Sequence, residues 1–143
     1  MIGIILATHG RMADGILVSM EMIAGAQQGV ATVCFNDGEG TEALKARLEA
    51  AVDGLNTDQI LILCDLAGGS PYNVSSQIST ERSGQNIVVI AGLNLPMLLE
   101  AALSRSYLEM NALVSAVLKS AGEGIRQYTV PMAKASVDAE EGI

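Results

Sequence analysis

The sequence predicts an α/β fold, a three-layer sandwich in which a central, mainly parallel sheet of four strands is flanked by helices. Three observations predict it. Four short runs are apolar at nearly every position, the pattern of strands buried on both faces, where a half-exposed strand would alternate. Segments whose apolar residues recur every three or four positions separate those runs, so strands and helices alternate along the chain. Glycine, asparagine and proline sit at the junctions and punctuate each change of period.

The first run, Met1 to Leu6, reads as a central strand, and Ala7-Thr8-His9-Gly10 follows it. From Met12 to Ala26 the spacing of Ile16, Leu17, Met20 and Ile23 predicts a helix, with Gly25 and Gly29 marking its exit. Val30–Phe35 is the second strand and ends in the turn-forming stretch 36–40. Leu44, Leu48, Ala51, Val52 and Leu55 then predict a helix over 41–54. Ile60–Cys64, the most apolar run, is a third strand, central like the first, and stops at Asp65.

Beyond Gly68 and Gly69, Ser70 stands where a helix N-cap belongs, with Pro71 at the first helical position, and the helix runs towards Thr80. Ile87–Ala91 is the fourth buried strand. Gly92-Leu93-Asn94-Leu95-Pro96 opens the next helix, which carries Met97, Leu98, Leu99 and Ala102. Met110, Leu113, Val114, Val117, Leu118 and Ala121 stripe the last helix, which Gly122 and Gly124 terminate. Residues 125–130 are more polar and suit an edge strand. The sequence thus divides into one domain, 1–130, and an acidic C-terminal tail, 131–143, with Asp138, Glu140 and Glu141 and no apolar period.

Bulk properties exclude several classes of function. A chain of 143 residues that is 50% hydrophobic has ample material for one core. A net charge of −8 and only eight scattered basic residues argue against gripping nucleic acid or an anionic membrane. The N-terminal apolar run is too short to cross a bilayer and has no basic flank, so a cytoplasmic protein is expected. Cys34 and Cys64, each near the end of an apolar run, read as reduced, buried thiols. One histidine and two separated cysteines make no metal-ligand cluster, and neither a P-loop nor a dinucleotide glycine triad is present, so no metal or cofactor is expected.

In a parallel sheet with helical crossovers, sites lie beyond the carboxyl ends of the strands. That rule gathers His9, the stretch 36–40, the stretch 65–70 and the stretch 92–94. If the first and third strands are neighbours, the Asp65 carboxylate can hold one imidazole nitrogen of His9 and leave the other as a nucleophile. The backbone donors of Gly68, Gly69 and the helix start at Ser70 could bind a phosphoryl group placed there, and the Ser70 hydroxyl adds a donor. Ser70 could equally serve only as a cap, Asn94 could shape its turn or touch a ligand, and Arg11 could steer an anion or be a solvated surface residue. His9, Asp65 and Ser70 are also the residue types of a hydrolase triad, but Ser70 lacks a Gly-x-Ser-x-Gly context. A receiver-like module would need acidic residues where His9 stands.

Three stretches resemble one known family: Ile4-Ile5-Leu6-Ala7-Thr8-His9-Gly10, then Asp65-Leu66-Ala67-Gly68-Gly69-Ser70-Pro71-Tyr72-Asn73, then residues 90–100 from Ile90 to Glu100. The chain is similar, over most of residues 1–130, to the mannose-family enzyme IIA components of the bacterial phosphoenolpyruvate-dependent sugar phosphotransferase system. The resemblance implies that His9 accepts phosphate from the phosphocarrier HPr and passes it to an enzyme IIB partner, which phosphorylates sugar entering through membrane IIC and IID subunits. It implies that Asp65 orients the ring and Ser70 contacts the phosphoryl group. It also implies a homodimer in which the C-terminal edge strand, 125–130, is exchanged between subunits. IIB is expected on a separate polypeptide. The Gly-Gly-Ser-Pro loop favours a transport role over the related branch that serves dihydroxyacetone kinase.

Overall fold

The alternation of side chains along the first strand, β1 (Gly3–His9), divides them between two separate cores. Ile4 and Leu6 belong to one apolar cluster, Ile5 and Ala7 to the other, and all four are fully buried. The third strand, β3 (Gln59–Cys64), does the same with Leu61 and Leu63 against Ile60, Ile62 and Cys64. A continuous apolar run is therefore required of these strands, because each face has its own helical layer to cover. Complete burial of each such Ile or Leu contributes about 1.5–3 kcal/mol of transfer free energy.

The computed structural model describes residues 1–132. In chain order, α1 (Met12–Ala24) follows β1, then β2 (Val30–Phe35), α2 (Thr41–Gly54), β3, α3 (Ser70–Glu81), β4 (Asn86–Ala91), α4 (Leu95–Ser104) and α5 (Met110–Glu123). The sheet is parallel throughout, in the order β2-β1-β3-β4. Helices α1, α4 and α5 cover the face that carries Leu6 and Leu63, and α2 and α3 cover the face that carries Ile5 and Ile62. The three-layer α/β fold expected from the sequence is thus present, with β1 and β3 at its centre.

Four local readings need correction. β1 starts two residues later than the apolar run and continues through His9, since its ladder with β2 pairs His9 with Phe35. The first helix ends at Ala24, not Ala26, at Gly25 with φ of +80°. β4 is an edge strand that pairs only with β3, and Val88, Val89 and Ala91 on it are half-buried. Residues 125–130 form no strand within the described chain; they pair with no strand of the sheet, and Ile125, Tyr128 and Val130 are each about four-fifths exposed. The acidic tail expected over 131–143 lies, from residue 133 on, outside the described residues.

At the amino edge of the sheet, a residue that sequence reasoning passed over ties strands to helices. Arg105, the C-cap of α4, is only 3% exposed. Its guanidinium donates to the carbonyls of Ile2 (3.1 Å), Gly29 (3.0 Å) and Gln28, which lie just before β1 and β2. Burial pushes its pKa below the usual arginine value. Arg105→Met keeps much of the volume but leaves these carbonyls without the donor, and is expected to lower unfolding stability by about 2–4 kcal/mol, read from the urea midpoint. A midpoint equal to that of the parent chain would contradict this role.

Candidate functional site

The parallel pairing of β1 with β3 sets Ala7 opposite Cys64, so the chain leaves β3 at Asp65 directly beside the last residues of β1. One carboxylate oxygen of Asp65, Oδ2, accepts two hydrogen bonds from the same residue: the backbone N–H of His9 at 3.0 Å and His9 Nδ1 at 2.9 Å. With Nδ1 donating, the neutral ring carries its lone pair on Nε2. The His9 side chain is 45% exposed and that of Asp65 14%, so the ring stands at the surface while the carboxylate that holds Nδ1 is shielded. Asp65 and His9 therefore converge as expected. The second oxygen, Asp65 Oδ1, is buried and has no protein partner.

The glycines define the other walls. A Cβ on Gly69 would lie 2.6 Å from His9 Cε1 and 3.3 Å from Nε2, so the loop backbone packs directly against the ring and a side chain there would displace it. Gly68 has φ of +81°, and the Gly69 N–H closes a turn onto the Leu66 carbonyl at 3.2 Å. Asn73, one turn into α3, reaches back through Nδ2 to the Gly68 carbonyl at 3.0 Å and fixes the loop from the helix side.

Ser70 is not the N-cap. Gly69, with extended backbone (φ −74°, ψ 164°), caps α3, Ser70 is the first helical residue and Pro71 the second. The glycine that caps α3 is also the residue that lies against the imidazole. No side chain caps this end, and the N–H groups of a first helical turn have no intrahelical partner, so the positive end of α3 opens beside His9. The Ser70 hydroxyl is thereby left available for a ligand. Among the described residues no hydrogen bond joins it to His9, as a Ser–His nucleophile pair would need.

The other candidates fall into structural roles. Asn94 caps α4: its Oδ1 accepts from Met97 N–H and its Nδ2 donates to the Ala121 carbonyl, each at 3.0 Å, which ties α4 to the end of α5. Arg11 is a solvated residue, its side chain 86% exposed and 3.8 Å from Asp14. Cys64 is fully buried, and desolvation pushes its thiol up to about 12, while Cys34 is half-buried and raised by the same cause. No group of three or more His, Cys, Asp or Glu side chains with metal-binding geometry occurs among the described residues.

Two neighbours of the site escaped sequence reasoning. Thr8, fully buried, accepts the Ala13 N–H through Oγ1 at 2.8 Å and so anchors the start of α1 behind His9. Phe35 stands beside the imidazole itself, 6.0 Å between ring centroids. A buried threonine in an otherwise apolar strand was the available signal for the first; nothing in the one-dimensional pattern announced the second.

Known proteins share this arrangement of chain. The model of the PTS system fructose IIA component matches residues 3–118. The chain belongs to that family. It is 33% identical over 116 residues to the sorbose-specific EIIA component of Lacticaseibacillus casei, covering 81% of this chain and 83% of that one. It is 34% identical over 138 residues to the mannose-specific EIIAB component of Escherichia coli (strain K12), covering 94% of this chain but 42% of the relative. This IIA chain thus spans less than half the length of that relative. Among solved structures, the phosphotransferase system component EIIA from Streptococcus agalactiae superposes with a TM-score of 0.84 at 44% identity, covering 89% of this chain and 97% of the other.

The close contact at Gly69 yields a direct test. Gly69→Ala is expected to push the imidazole off Asp65, seen by NMR as loss of the single Nδ1-protonated form of His9. The change is local, so the melting temperature should move by only a few degrees. An unaltered imidazole spectrum would contradict the tight fit.

Proposed function

We propose that this chain is a phosphoryl carrier in which His9 Nε2 takes a phosphoryl group from phosphorylated HPr and hands it to an enzyme IIB partner, coupling sugar uptake to phosphorylation. The observation that carries this reading is the double hydrogen bond from His9 to one oxygen of Asp65. It holds the ring at Nδ1 and leaves Nε2 without a hydrogen-bond partner among the described residues. The Nε2 lone pair attacks phosphorus, the N–P bond of the donor phosphohistidine breaks, and its electron pair returns to the donor imidazole. The ring of His9 becomes cationic in that step, and the Asp65 carboxylate stabilises the developing charge at Nδ1–H. Transfer to IIB is the same displacement run from the other side.

The phosphoryl oxygens gain charge density near the opening of α3. There the loop glycines Gly68 and Gly69 keep side chains out of the way, and the unpaired N–H groups of the first turn supply donors. Ser70, next in the chain, is assigned to contact an oxygen through its hydroxyl. These are proximity and orientation effects, and they need no rearrangement of the sheet.

The proposed site of action is cytoplasmic, with membrane IIC and IID subunits reached through IIB; no described helix is long and apolar enough to cross a membrane. The proposed homodimer draws support from β4, whose outer edge has no partner among the described residues, and from the exposed apolar side chains of Ile125, Tyr128, Val130 and Met132. A strand exchanged between two copies would cover both.

Phosphoenolpyruvate, enzyme I and HPr together are expected to label the protein with an acid-labile phosphate that His9→Ala abolishes; label that survives this substitution sinks the proposal. Asp65→Asn preserves shape but removes the charge, and should slow acceptance about 10- to 100-fold, the rate equivalent of losing one charge-assisted hydrogen bond. A chain cut after Gly124 should sediment as a monomer, and a dimer would refute strand exchange.

A further inference from the structure

We infer that Phe35 is a positioning residue for phosphoryl transfer, the aromatic wall that keeps the His9 ring turned with Nε2 outward. The inference rests on the reading of His9 as the phosphoryl acceptor and adds to it a third constraint, supplied by the neighbouring strand.

Two independent contacts place Phe35 there. In the β1–β2 ladder it is the register partner of His9, and its carbonyl accepts the Gly10 N–H at 2.8 Å, so β2 holds the backbone immediately after the histidine. Its ring then meets the imidazole with centroids 6.0 Å apart and planes inclined at 71°, the edge-on arrangement that aromatic pairs favour. Phe35 is itself fixed, since it is the last residue of β2 and packs against the apolar cluster that includes Ala7, Val33 and Leu44. It is also the only phenylalanine of the chain.

The other two restraints leave a freedom for this wall to remove. Asp65 fixes the position of Nδ1, and the Gly69 backbone lies against Cε1 and Nε2. A hydrogen bond at one ring atom permits the plane to swing about the Nδ1 contact, and a ring 45% exposed has space to do so. An aromatic neighbour set nearly perpendicular to the imidazole limits that swing without consuming a ring nitrogen. A polar residue at position 35 would compete with Asp65 for the ring nitrogens, and an aliphatic one would give a softer contact. An edge-on aromatic pair is worth about 0.5–1.5 kcal/mol beyond buried area, which converts to a roughly two- to tenfold effect on rate.

The test uses the full chain with Phe35→Leu, which keeps an apolar side chain without the ring, and Phe35→Tyr, which keeps the ring. Two readouts are taken: the imidazole ¹⁵N and ¹³Cε1 resonances of His9, and the rate at which phosphorylated HPr loads the protein. With the melting temperature as a control for folding, Phe35→Leu should broaden or shift the imidazole resonances and slow loading two- to tenfold, and Phe35→Tyr should restore both. Parent-like resonances and rate in Phe35→Leu would overturn the inference. So would a slowed Phe35→Tyr, because it would make the effect one of packing alone. If the parent chain takes no phosphate from HPr, the proposed function fails, and the resonances alone still decide whether Phe35 holds the ring.

Discussion

The site depends on a single oxygen atom. Asp65 Oδ2 receives a backbone and a side-chain hydrogen bond from the same histidine, so the carboxylate is aligned to the main chain of β1 and the imidazole is aligned to the carboxylate. This works only because β1 and β3 are adjacent, parallel, and in the register that sets Ala7 against Cys64. A slip of one residue would turn Asp65 to the other face of the sheet and leave His9 unoriented. The fold therefore acts on the chemistry through strand register, and the two apolar cores hold that register by assigning alternate side chains to opposite layers.

Magnitudes separate what stabilises the molecule from what positions the ring. Burial of the isoleucines and leucines of β1 and β3 contributes kilocalories per side chain, whereas a hydrogen bond to a ring nearly half exposed contributes about 1 kcal/mol or less. The His9–Asp65 pair is thus a device for orientation at small cost or benefit to stability. Gly69 belongs to the same logic: a residue without a side chain weakens a helix start slightly but permits the close approach that the ring requires. The buried Arg105 clamp carries a structural load of the opposite kind, at the opposite edge of the sheet, where it satisfies carbonyls that the strands leave over.

Electrostatics differ between the whole molecule and the site. A chain of net charge −8 repels anions at long range, yet His9 lies beside the uncapped, positive end of α3, where the proposed function seats the phosphoryl group. Fixed backbone donors at contact distance outweigh distant surface charges that water and salt screen within about 10 Å. Under the proposed function the phosphoryl group arrives on a protein donor and has no need of the long-range steering a free anion would, so an acidic surface is compatible with that reading.

The sequence by itself determined the four buried strands and the five helices, because strands buried on both faces must be apolar throughout and surface helices must repeat at three and four. It also marked His9, Asp65 and the Gly68–Ser70 loop, since the carboxyl ends of parallel strands gather whatever polar residues follow the apolar runs. Only the tertiary structure decided the strand order, and with it that Asp65 lies beside His9 at all. It put the helix cap on Gly69 rather than Ser70, on a glycine that packs against an imidazole sixty residues away. It brought Phe35 to the ring and Arg105 to three carbonyls, contacts between residues far apart in the chain that no local period encodes. Local rules read burial and periodicity along the chain; which side chain meets which depends on register and layer packing, and those exist only once the sheet has formed.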